Sequence, residues 1–85
     1  MHIFFTAHFK KRFEKLSKKD QVQFQKRLDL FLRTPQDPVL KNHPLKGYLI
    51  GLRAFSVRGD CRVIYRIVAR EAVRLLDIGT HNQVY

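Results

Sequence analysis

The run Arg53-Ala54-Phe55-Ser56-Val57-Arg58-Gly59-Asp60-Cys61-Arg62-Val63-Ile64-Tyr65-Arg66-Ile67-Val68 decides the fold. Its apolar residues alternate with polar ones, which is the period of a half-buried strand and not of a helix. The alternation predicts one strand from Leu49 to Arg58, with Arg53, Phe55 and Val57 on one side and Leu52, Ala54 and Ser56 on the other. Arg58-Gly59-Asp60 is a hairpin turn, since Gly accepts positive φ and Asp bonds readily to nearby backbone. The returning strand, Cys61 to Val68, sets Cys61, Val63, Tyr65 and Ile67 on one side and Arg62, Ile64 and Arg66 on the other. Ala69-Arg70-Glu71 turns the chain again, and Ala72 to Ile78 makes the last strand.

Upstream the period is helical. Ile3-Phe4-Phe5 reads as a short first strand, after which Thr6 caps a helix with Phe9, Phe13 and Leu16 at i, i+4 and i+7. Ser17 followed by Asp20 marks a second helix start. That helix runs to about Arg33, with Phe24, Leu28, Phe31 and Leu32 on one stripe. Thr34-Pro35-Gln36-Asp37-Pro38 ends it, because proline cannot continue the helical hydrogen bonds. The expected order is β-α-α-β-β-β: a small α+β domain with two antiparallel helices on one face of a largely antiparallel sheet.

Eighty-five residues make one domain, 1–85, which buries roughly 60–65% of its surface. So thin a core favours an open groove over a deep pocket. Seventeen Lys and Arg against seven Asp and Glu give a formal charge of +10, which calls for a polyanionic partner. A lone Cys61 excludes an internal disulfide and suits a reducing compartment. The apolar start is too short for a signal peptide, and no segment reaches the ~20 apolar residues of a membrane span. A cytoplasmic protein with no membrane partner is expected. No His-x₃-His or Cys-x₂-Cys spacing, Gly-rich phosphate loop or Gly-x-Ser-x-Gly elbow occurs, so neither a metal nor a cofactor is expected.

The uncovered side and ends of the sheet would present His43, Lys46, Arg53, Asp60, Arg62, His81 and Tyr85. Imidazoles move protons near neutral pH, and guanidinium groups pair two phosphate oxygens at once. Residue by residue there are blander readings. His81 could be a surface histidine in a C-terminal loop, and His43 a loop residue bonded to backbone. Asp60 could be a turn residue and Arg62 part of a solvated face. Tyr65, Phe9, Phe13, Phe24 and Phe31 are packing residues, and His2 and His8 lie outside the group.

Three segments in order carry a resemblance: His43-Pro44-Leu45-Lys46-Gly47, Gly59-Asp60-Cys61-Arg62-Val63-Ile64-Tyr65 and Gly79-Thr80-His81-Asn82-Gln83-Val84-Tyr85. Together they resemble the RelE/YafQ superfamily of bacterial toxins, ribosome-dependent mRNA endonucleases of type II toxin–antitoxin pairs. The resemblance implies a catalytic group of His43, Asp60, Arg62, His81 and Tyr85, with Lys46, Arg53 and Arg62 binding RNA phosphate. His81 would be the general acid and either His43 or Asp60 the base. Arg62 would neutralise the phosphorane, and Tyr85 would stack on a base or orient the phosphate. Where the YafQ-like branch carries a further histidine, this chain has Ser56. The implied partners are a cognate antitoxin, the ribosome and mRNA, with DNA met only through the antitoxin complex. A non-catalytic basic nucleic-acid-binding module, an inactive relative or a protein docking an acidic partner would share the same charge.

Overall fold

Thr6 closes the first strand and opens the first helix by making two bonds at once. Its Oγ1 accepts the Phe9 N–H at 3.1 Å and donates to the Leu75 carbonyl at 3.0 Å. The N-cap is thereby tied to the sheet. The computed structural model describes residues 1–85. Strand β1 is His2–Phe5, helix α1 Ala7–Glu14 and helix α2 Lys18–Arg33. A two-residue strand β2, His43–Pro44, precedes β3 (Arg53–Arg58), β4 (Cys61–Ala69), β5 (Ala72–Gly79) and a final turn of helix α3 (His81–Val84). The sheet order is β1-β5-β4-β3-β2. Only β1 runs parallel to its neighbour; the other pairings are antiparallel.

Ser17 caps α2 by accepting the Asp20 N–H, as its spacing predicts. Phe24, Leu28 and Phe31 are buried, and Phe24 meets Phe9 and Phe13 at centroid separations of 5.5 and 5.3 Å. Through these rings the helices touch, while α1 rests mainly on β5 and α2 on β3. One buried cluster joins them to Phe55, Val57, Val63, Tyr65, Val73, Leu75 and Ile78 of the sheet. No helix is long and apolar enough to cross a membrane.

Several expectations are corrected. Leu32 is 39% exposed and lies off the buried stripe. Eight residues beyond Phe24 at 3.6 per turn, it is rotated away from the line that Phe31 continues. The strand expected from Leu49 starts only at Arg53. Gly47–Leu49 instead forms a 3₁₀ turn, and Gly47 and Gly51 take φ values of 66° and 93°, which break the extended backbone. A fifth strand, β2, pairs His43 with Ala54 at the far edge of the sheet. Beyond β5, where no element is expected, the chain makes the helical turn α3, whose Thr80 N–H donates to Gln83 Oε1 at 2.9 Å.

Candidate functional site

The hairpin between β3 and β4 delivers Asp60 to the start of α3. Its Oδ2 accepts the main-chain N–H of His81 at 3.1 Å, and its Oδ1 accepts from Arg62 Nη2 at 3.3 Å. The first N–H groups of a helix have no partner within it, so a carboxylate there fixes where the helix begins. Asp60 thus holds the side chain of Arg62 and the backbone of His81 with its two oxygens.

Around that carboxylate the aromatic and cationic groups stack. The His81 and Tyr85 rings meet edge to face, 4.3 Å apart at 88°. The guanidinium carbon of Arg62 lies 5.6 Å from the Tyr85 ring centre, within cation–π range. Tyr48, 84% exposed, donates its hydroxyl hydrogen to the Tyr85 main-chain oxygen at 2.6 Å. Arg62 Nε and the Tyr85 hydroxyl are buried and bonded to no protein atom. Leaving such a group unsatisfied costs about 1–3 kcal/mol, and Arg12 Nη2, beside Gly79, is in the same position.

Arg62 also lines a small cleft of about 90 Å³ with Lys41, His43, Ala54, Phe55, Ser56 and Gly59. His43 therefore faces the same hollow as Arg62, and Ser56 pairs with Arg62 across the β3–β4 ladder. The His43 ring places Nδ1 2.9 Å from the Lys41 carbonyl. A carbonyl can only accept, so Nδ1 carries the hydrogen, and Nε2 of the neutral ring is left with its lone pair.

Two of the expected residues stand apart. Arg53 shares the helix-covered side of the sheet with Phe55 and Val57, opposite to Arg62. Its Nε donates to Asn42 Oδ1 and to the Tyr65 hydroxyl, each at 3.2 Å, and Tyr65 donates to Asn42 at 2.8 Å. Strand alternation separates it from the cleft, because side chains an odd number of residues apart face opposite ways. Lys46 is exposed at the edge turn and its ammonium makes no ion pair. Sequence reasoning missed Tyr48 and Lys41. Tyr48 follows a glycine turn whose direction no local pattern gives, whereas Thr80 followed by Gln83 is a capping-box spacing that signals α3.

A five-stranded sheet with two helices on one side is the RelE-like architecture of small bacterial toxins. The family described as the bacterial toxin of type II toxin-antitoxin system, YafQ, matches residues 1–85, and the chain belongs to it. Among solved structures, YafQ from E. coli strain BL21(DE3) superposes with a TM-score of 0.83 at 24% identity, covering 98% of this chain and 96% of that one. A copper-bound mutant toxin from Helicobacter pylori gives 0.79 at 27% identity, covering 100% and 99%. The E. coli DinJ-YafQ toxin-antitoxin complex gives 0.81 at 25%, covering 98% and 94%. No curated protein compared with the chain matches it.

Proposed function

We propose that this toxin is an endoribonuclease that cuts mRNA at the ribosome and is silenced by a cognate antitoxin. His43 Nε2 takes the proton from the ribose 2′-hydroxyl as that oxygen attacks the adjacent phosphorus. The new O2′–P bond forms, the P–O5′ bond breaks, and His81 delivers a proton to the departing 5′-oxygen. Arg62 brings its guanidinium charge to the phosphorane while Asp60 holds Nη2. Tyr85 stacks against a base, a contact worth about 1–3 kcal/mol. Asp60 has both oxygens engaged, so its part is to position Arg62 and His81, and the base is His43. Lys46 guides the strand by charge alone. Each service comes from a side chain, and the scheme asks for no metal.

The observation that carries this reading is the Asp60 carboxylate joining Arg62 to His81 beside the cleft that His43 lines. The partner assignment draws on the antitoxin named in the E. coli complex. Induction in bacteria with mapping of transcript ends tests it. The wild-type chain should create new 5′ ends at in-frame codons. His81→Ala should cut roughly 10²–10⁴-fold more slowly with an unchanged melting curve. A fully toxic His81→Ala protein would remove His81 from the reaction. Tight nucleic-acid binding with no new ends would favour the non-catalytic module.

A further inference from the structure

The side of the sheet that carries Arg62 continues past the cleft into a row with no bond of its own. Arg66 lies four residues along β4 from Arg62, about 13 Å at the usual strand rise, and on the same side. Its direct partner on β5 is Arg74, and the partner of Arg74 on β1 is Phe4. Residues paired in register point to the same side of a sheet, so Phe4, Arg74 and Arg66 form one line across three strands. All three are exposed, with Phe4 keeping half of its surface in solvent. Like charges directly opposite each other destabilise a sheet. Here no carboxylate relieves them, since the four ion pairs of the molecule involve His8, Arg12, Arg58 and Arg62 alone.

An uncompensated arginine pair next to an exposed aromatic ring, in a chain of charge +10, has the composition of a platform for single-stranded nucleic acid. We infer that Phe4, Arg74 and Arg66 are an RNA subsite outside the cutting centre. The two guanidinium groups bind phosphates of the same strand that Arg62 holds, a few nucleotides further along, and a base stacks on Phe4. The inference rests on the RNA-cutting reading of the cleft, because Arg62 shares the strand and the side. It adds a grip on substrate that contributes to binding and takes no part in proton transfer.

The test is fluorescence anisotropy of a labelled single-stranded RNA oligonucleotide across a salt series. The protein with Arg66→Gln and Arg74→Gln together should bind about tenfold or more weakly. The slope of log affinity against log salt should flatten by about 1.4, at about 0.7 per lost phosphate contact. Both side chains are exposed and repel each other, so the melting temperature of that variant should hold or rise. Phe4→Leu, which keeps an apolar strand residue, should lose about fivefold or more. A wild-type chain that binds the oligonucleotide no better than the double variant overturns the subsite. So does a double variant that keeps RNA affinity and loses only polyglutamate, which would make the row a seat for an acidic protein. A chain that grips RNA through these arginines yet cuts nothing sinks the proposed reaction and leaves the subsite standing.

Discussion

At the residue scale, neighbouring positions in the hairpin divide their work. Asp60 points out to Arg62 and His81, while Cys61 points in and is 7% exposed. Burial pushes the Cys61 thiol up from 9.0 to about 11, with the Asp20 carboxylate adding to the effect. The folded chain then holds this proton more tightly than the unfolded chain between those two values. Stability from this group is complete below about pH 9 and is lost as pH climbs towards 11. Cys61→Ala lacks the titration, so the stability gap between wild type and variant should be constant up to about pH 8.5. It should then shrink by about 1–3 kcal/mol by pH 11. Urea unfolding of both proteins over that range measures it, with every lysine and tyrosine common to the two. Parallel curves would mean that the thiol is free to ionise in the fold. The same burial predicts slow alkylation of the native thiol at neutral pH.

At the element scale, α3 is a single helical turn placed by contacts from outside it. Gly79 is where those contacts crowd. A Cβ added there would sit 2.6 Å from Gln83 Oε1 and 3.2 Å from Arg12 Nη2. Gln83 Oε1 already accepts the Thr80 N–H, and Arg12 is aligned by Asp77, which also meets His8 at 3.3 Å. Both crowding atoms are tips of flexible side chains. Gly79→Ala should therefore turn the Gln83 amide away from the Thr80 N–H and loosen α3, costing about 1–3 kcal/mol and part of the toxicity. Gln83→Ala alone loses the same bond, so the two substitutions together should cost less than the sum of the two singles. A Gly79→Ala protein with native melting and full growth arrest would show that α3 tolerates the shift. The two long helices, the hairpin and the three long strands were legible because period, caps and prolines are local signals. Phe24 and Phe31 announce a helix face, and Phe55 to Val63 a strand pair, without reference to anything distant. The edge strand β2 and the tie from Tyr48 to Tyr85 were not legible, since each depends on residues far apart in the chain. Arg53 shows the boundary within the site. Its parity with Phe55 and Val57 was readable and already put it opposite to Arg62, yet residue type alone grouped it with the phosphate binders.

At the scale of the whole molecule, the charge is dispersed and poorly compensated. Of seventeen Lys and Arg, only Arg12, Arg58 and Arg62 sit in ion pairs, and the acids they meet are Asp77, Asp20 and Asp60. Those pairs are partly exposed, so each adds at most about 1 kcal/mol. Repulsion among the remaining cations should outweigh them at low ionic strength, where the screening length is longest. Raising NaCl from ~0.01 to ~0.15 M should then stabilise the free protein. A gain of about 1 kcal/mol corresponds to about 4–8 °C in melting temperature for a domain of this size. The same salt should weaken RNA binding, because each counterion released on association gains less entropy in a more concentrated solution. Opposite responses to one variable separate a cationic surface held for a polyanion from one balanced by internal pairs. Scanning calorimetry of the free chain beside anisotropy with RNA measures both. A melting temperature that falls with salt would mean that attraction within the molecule dominates, and the surplus of cations would then need another explanation than a polyanionic ligand. A bound polyanion should raise the melting point most at low salt, by mass action on the folded state.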